Sequence, residues 1–222
     1  MDFNAMFQTW MNVLTKPGEP VFEEERRKPN ANLTTALIWV AIAGVVAAIF
    51  GAIAAVIFSF IGSSVSLISM LADNLPPEVA AQLAGANLGG GLGAGVGQAC
   101  ANIIIIPIVF LMSAAVHFGV AKAVGGTGSF EEHTYVHATV RAPIIVASSV
   151  INIIPVLGTC VSVLLIIYQI VLTYFSMKVV HNLTSGKALL VALAIPILFA
   201  LCLICLFAVI FAGVFSAAAG SF

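Results

Sequence analysis

Apolar residues along this chain come in long unbroken runs rather than in strand-like alternation. A helix needs about 20 apolar residues to cross the hydrocarbon of a bilayer. Five runs approach or exceed that length, at about 34–61, 101–124, 142–158, 159–177 and 188–212. The third is short and is bounded by Pro143 and Pro155. Pro107 and Pro196 fall inside runs, which spanning helices tolerate because neighbouring helices and water take up the freed backbone groups. The pattern predicts an all-α integral membrane protein with five transmembrane helices.

The residues ahead of the first run follow a different rule. "FNAMFQTWMNVL" sets Phe3, Phe7, Trp10, Met11 and Leu14, with Met6, on one face of a helix. Asp2, Gln8, Thr9, Asn12 and Thr15 take the other face. This is the pattern of an amphipathic helix lying in the membrane interface, with Trp10 at headgroup level. Pro17, Gly18 and Pro20 end it, and "EEERRK" follows as a solvated connector whose charges nearly cancel. Residues 1–33 therefore read as a cytoplasmic N-terminal segment, and 34–222 as the membrane domain. The segment has no apolar stretch of the kind that marks a cleavable signal, so the first run is expected to remain as a span.

Composition supports the membrane class and charge gives it a direction. The chain is 61% hydrophobic and 8% charged, where a soluble domain would be roughly a quarter charged. A net charge of −1 argues against nucleic acid as a partner. The basic residues are Lys16, Arg26, Arg27, Lys28, Lys122, Arg141, Lys178 and Lys187. With five spans all of them fall on one side, and the positive-inside rule makes that side cytoplasmic. The N-terminus is then cytoplasmic and the C-terminus extracytoplasmic. The Asn-Leu-Thr sequons at Asn32 and Asn182 lie on the cytoplasmic side and are expected to stay unmodified.

The stretch "GGTGSFEEHTYVHATVRAP" (Gly125–Pro143) becomes the main cytoplasmic loop between the second and third spans. It gathers Glu131, Glu132, His133, His137 and Arg141 within eleven residues. A solvated loop accounts for much of that charge, and the clustering makes these five the candidate partner-binding residues. His133 and His137 share a helical face at a spacing that can clamp a metal, with Glu131, Glu132 and His117 nearby. Arg141 continues the same face and repels a cation, so no metal or other cofactor is expected. Inside the spans the polar residues are Asn102, Ser148, Ser149, Asn152, Gln169 and Thr173, besides His117. No Asp, Glu, Lys or Arg sits mid-membrane on these boundaries, which argues against ion-coupled transport. Asn152 and Gln169 are expected to bridge helices.

"GANLGGGLGAGVGQ" lacks the Lys-Ser/Thr of a phosphate-binding loop. Gly85, Gly89, Gly93 and Gly97 recur every four residues, as a close-packing ridge if helical and as a flexible loop if not. Cys100 and Cys160 fall at the outer ends of spans, where pairing is open; Cys202 and Cys205 read as small apolar packing residues.

Three stretches carry a family resemblance: "WMNVLTKPGEPVFEE" before the first span, "AKAVGGTGSFEEHTYVHATVRAP" between the second and third, and "MKVVHNLTSGKALLVALAIPI" leading into the last. Together they resemble the Yip family, five-span proteins named for interacting with Rab-type (Ypt) GTPases, and the likeness is closer to its prokaryotic branch. The resemblance implies clustered spans with a cytoplasmic N-terminus. It also implies a part in organising membranes or membrane traffic, as a scaffold associating with other proteins and with its own kind. The chain departs from eukaryotic members in its short N-terminal segment and in lacking their Asp-Leu-Tyr-Gly-Pro motif. Rab binding is therefore not implied.

The reading is a non-enzymatic multi-pass membrane scaffold. Its partners would be the lipid bilayer, a cytoplasmic protein docking on the 125–141 loop, and a second copy of the chain. The alternative is a transporter or channel for a small solute, with Asn152 and Gln169 lining the path. A metal-dependent membrane enzyme built on His133 and His137 comes third. The location is the cell membrane in a prokaryote, or the endoplasmic reticulum and Golgi in a eukaryote.

Overall fold

The computed structural model describes residues 2–61, 92–154 and 157–219. Within them the chain forms helices α1 (Phe3–Thr15), α2 (Glu19–Arg26), α3 (Leu33–Ile61), α4 (Leu92–Ala123), α5 (Phe130–Ile151), α6 (Leu157–Val180) and α7 (Ser185–Ala219). No strand occurs among the described residues. Helices α3 to α7 each hold a stretch long and apolar enough to cross a bilayer: Leu33–Ile57, Ala99–Ala123, Phe130–Ile151, Leu157–Val180 and Ser185–Val209.

The third of these begins at Phe130 rather than near 142, so most of the expected 125–141 loop is the first half of α5. The local reason is a strong helix start. Ser129 caps α5 by accepting a bond from the Glu132 amide, and Glu131 and Glu132 sit in the first turn, where the helix dipole favours negative charge. Pro143 lies inside α5 rather than at its edge.

Helix α5 is the hub of the bundle. It packs against α3, α6 and α4, while α7 lies against α6 and α4. Helices α1 and α2 form a hairpin laid on α5 and α6. Every residue from His133 to Val140 on α5 is buried. The hairpin closes the core with Trp10, whose ring meets Trp39 edge-on, and Trp39 in turn meets Tyr135. Phe22 and Val13 are buried in the same cluster. Away from the hairpin the helices turn Ile, Leu, Val and Phe outward, as at Ile104, Leu164, Ile204 and Val209, which is what a lipid-facing surface requires.

The interfacial face expected of α1 splits in two. Trp10 is buried and Leu14 packs against the core, while Phe3, Phe7 and Met11 are exposed. Trp10 therefore serves as a packing residue and not as a headgroup anchor, because Trp39 offers it an apolar partner. Gly85 and Gly89 of the glycine repeat lie outside the described residues. Gly97 is within α4, with open space where a Cβ would go.

Candidate functional site

The chain has four histidines, and all of them meet. On α5, His133 and His137 are four residues apart, so their rings stack on one face, with centroids 5.8 Å apart. His117, from the last part of α4, lies 5.1 Å from the His137 ring. His181, the residue that follows α6, places Nε2 2.9 Å from His133 Nδ1. Phe110 stacks on His137, and Phe118 packs edge-on against His133.

His181 is held by two chain turns of the same design. Gly125 (φ +94°) ends α4, with the Gly126 amide bonded to the Ala121 carbonyl and the Gly125 amide to that of Lys122. Asn182 (φ 52°) ends α6 in the same way, through Leu183 N to Lys178 O and Asn182 N to Val179 O. Both are left-handed helix caps, which Gly and Asn adopt most easily. The turns are knitted together: the Thr127 amide donates to the His181 carbonyl at 3.2 Å, and Asn182 Nδ2 donates to Thr127 Oγ1 at 2.9 Å. A Cβ on Gly126 or Gly128 would lie 2.9 Å from His181 Cβ or 2.5 Å from the Val180 carbonyl oxygen. The "GGTG" stretch is therefore the seat of His181.

Ser113 organises the inner histidines. Its hydroxyl donates to the Phe110 carbonyl at 2.9 Å, which leaves Oγ to accept from His137 Nε2 at 3.3 Å. The Ser113 carbonyl accepts from His117 Nδ1 at 3.0 Å. Among the described residues, His137 Nδ1 and His181 Nδ1 stay buried without a hydrogen-bond partner, while the Ala192 and Ala114 backbones lie against the outer nitrogens of His117 and His133. At His181, outside the spans, burial and then the nearby Lys122 ammonium push the imidazole pKa down to about 4. It is neutral at pH 7. Among the described residues no three His, Cys, Asp or Glu side chains are disposed to hold a metal ion.

Arg141 continues the His133–His137 face one turn deeper. Its Nη1 donates to Gln169 Oε1 on α6 at 2.8 Å, while among the described residues buried Nε has no hydrogen-bond partner. Farther along the same face, Asn152 Nδ2 donates to Ser162 Oγ on α6 at 2.9 Å and to the Ser148 carbonyl at 2.8 Å. Asn152 and Gln169 thus bridge α5 and α6. A polar seam, Arg141 and Asn152 on α5 against Gln169 and Ser162 on α6, marks their contact. Because α5 starts at Phe130, Arg141 is a charged residue at mid-helix. The expectation that the spans hold no such residue is corrected.

The five residues expected to meet a partner do not share one surface. Glu131 is exposed, and its carboxylate lies 3.4 Å from the Leu33 amide. Glu132 pairs with Arg26 of α2 at 3.0 Å and ties the hairpin to α5. His133 and His137 have no exposed surface, and Arg141 points to Gln169. His181 is the site residue that reading along the chain missed, because its partners are far away in sequence. The signal that could have found it was a histidine set directly before Asn182 at a helix end. Cys100, Cys160, Cys202 and Cys205 are all unpaired and exposed.

No curated protein and no solved structure matches this chain. The family model of the Yip1 domain matches residues 11–217, nearly the whole chain, and takes in the hairpin from Met11, the capped turns, the histidine cluster and the polar seam. This five-span membrane protein belongs to the Yip family.

Proposed function

We propose that the protein is a non-enzymatic scaffold that organises the membrane around it, working through its N-terminal hairpin. The observation that carries this reading is the double-sided α1. One face, Met6, Trp10 and Val13, is buried on the bundle. The other presents Phe3, Phe7 and Met11, 62%, 58% and 43% exposed, as a stripe at helical spacing. Asp2 caps the helix through the Asn4 and Ala5 amides, so the stripe is presented on a formed helix. The hairpin is fastened to the bundle by Arg26–Glu132 and Lys178–Glu19 ion pairs and by Tyr168, whose hydroxyl donates to the Leu14 carbonyl at 2.6 Å. A rigidly held apolar stripe beside lipid-facing helices suits shallow insertion into the cytoplasmic leaflet. Glu131 remains the exposed charge open to a cytoplasmic partner. The test is reconstitution into liposomes with the vesicle diameter measured by electron microscopy. Wild type should narrow or tubulate the vesicles, and a Phe3→Ser, Phe7→Ser, Met11→Ser variant should not. Equal diameters would remove the reading.

A second reading, passage of a small solute, is favoured by one observation: the polar seam between α5 and α6 carries a half-buried arginine at mid-helix, with its Nε fully buried. Intramembrane ionisable residues mark binding sites and pathways more often than they mark packing.

A further inference from the structure

Arg141 poses an unbalanced charge. At about 15 Å from either end of α5, by the rise of a helix, it sits at the depth where a bilayer is driest if α5 spans. A guanidinium does not lose its proton in a protein, so the charge persists. Burying it is costly unless it is paired. Yet among the described residues no carboxylate pairs with it. The basic groups that do have carboxylate partners are Arg26, Arg27, Lys28 and Lys178, all toward the hairpin. What Arg141 has instead is the neutral Gln169 amide on Nη1. The described groups around it add no negative charge: His117 and His137 lie within electrostatic range toward the hairpin end.

The geometry of what is left over is specific. With Nη1 committed to Gln169, the free edge of the guanidinium is the one formed by Nε and Nη2. Nε is fully buried, and among the described residues neither Nε nor Nη2 makes a hydrogen bond. That edge presents two parallel N–H donors, the fork that grips two oxygens of a carboxylate or phosphate group. Gln169 fixes which edge is offered.

We propose that Arg141 is the anchor of an anion-binding site between α5 and α6, which takes an oxyanion through the Nε–Nη2 edge, with Gln169 as the positioning residue. This deepens the solute reading of the seam by naming the ligand chemistry, and binding can be tested apart from passage. The oxyanion can be a free one, such as inorganic phosphate or a small carboxylate, or the phosphate of a lipid drawn into the seam. The recognition chemistry is the same.

The experiment uses the full chain purified in a phosphate-free sugar detergent, in buffer lacking oxyanions. Melting temperature is followed against inorganic phosphate and against acetate, and native mass spectrometry reports any phospholipid retained. Arg141→Lys keeps the charge and removes the fork. Gln169→Glu gives Arg141 an internal carboxylate and so makes an external anion redundant. The expected result is a saturable rise in melting temperature, or a retained phospholipid, in the wild type. Apparent affinity or retention should fall at least about tenfold in Arg141→Lys. Gln169→Glu should bind neither ligand and should melt above the ligand-free wild type, a gain that a purely structural Gln169 would not give. A shift without retained lipid identifies a free oxyanion; retained lipid lost in both variants identifies the headgroup. A wild type that shows neither signal overturns the site, as does a Gln169→Glu protein that responds like the wild type. Binding without flux in liposomes would remove the solute reading and leave the site standing.

Discussion

Gly126 and Gly128 fit where they do because His181 and the end of α6 lie against them. A methyl group at Gly128 would meet the Val180 carbonyl at 2.5 Å, and one at Gly126 the Ala121 carbonyl at 2.8 Å. Both obstacles are backbone, which cannot swing aside. Gly128→Ala should therefore destabilise by about 1–3 kcal/mol, the usual range for overpacking. Gly119 and Gly186 lie in α4 and α7, and a methyl group added at either would have nothing within 4 Å. There alanine should gain from helix propensity, by about 0.5–1 kcal/mol at mid-helix Gly119 and by less at Gly186 in the first turn of α7. Thermal melts of the three variants check the contrast, and a neutral Gly128→Ala would show that the turn does not hold His181 tightly. His181 itself makes stability depend on pH. Its folded pKa of about 4 lies below the ordinary histidine value. Above about pH 6.5 both folded and unfolded forms are neutral there; below it the unfolded chain takes up the proton first. The fold should thus weaken as pH falls from about 6.5 toward 4. Among the described residues the groups facing this ring are His133, Phe118 and the Lys122 ammonium, and none is a carboxylate to reward the charge. Melting wild type and His181→Gln at pH 7.5 and pH 5 should show a smaller loss in the variant. Equal losses would assign the pH effect elsewhere.

At the scale of the element, α5 shows how much of the fold could be read along the chain. Five apolar runs, a helix at α1 and the bridging by Asn152 and Gln169 were all legible, because each depends on local hydropathy or on polar groups that must find partners in an apolar setting. The start of α5 was not. Reading hydropathy alone places Glu132, His133, His137 and Arg141 outside the spans, since each is costly to bury by itself. The fold supplies what the local sequence cannot: Arg26 for Glu132, His181 for His133, Ser113 for His137 and Gln169 for Arg141. The same reasoning applies to α2, where Glu25 is 2% exposed although its neighbours in "EEERRK" suggest a solvated connector. Its carboxylate is bonded to Lys28 at 2.7 Å, to the Thr9 hydroxyl at 3.3 Å and to the Tyr135 hydroxyl at 3.4 Å. Glu25 is thus the joint between α1, α2 and α5. Glu25→Ala strands a part-buried ammonium and a buried phenol and should cost about 1–3 kcal/mol. Arg27→Ala, at a 72% exposed side chain paired only within its own helix, should cost under about 0.5 kcal/mol. Proteolysis of the hairpin in the intact protein gives the readout; similar protection in the two variants would mean that Glu25 does not fasten it.

The whole molecule has two unlike ends. The hairpin, the capped turns, the histidines and the ion pairs gather at the end where α3, α5 and α7 begin and α4 and α6 finish. Toward the far end, the described side chains are mainly outward-facing Ile, Leu, Val and Phe. This polarity agrees in direction with the charge pattern, since every Lys and Arg except Arg141 belongs to the hairpin end. Cost explains the asymmetry: charged groups are cheap where water reaches and are confined there unless a partner follows them inward. The orientation that follows, hairpin in the cytoplasm, can be tested with thiols the protein already has. Cys100 and Cys160 are exposed near the starts of α4 and α6, at the far end, while Cys202 and Cys205 lie well inside the apolar length of α7. A membrane-impermeant maleimide applied to intact cells should label Cys100 and Cys160. A Lys16→Cys probe in the background lacking native cysteines should react only after the membrane is opened. The reverse pattern would place the hairpin outside, and the leaflet assigned to the Phe3–Phe7–Met11 stripe would change with it. The seam would survive that reversal, because a site at mid-helix is equally deep from either side.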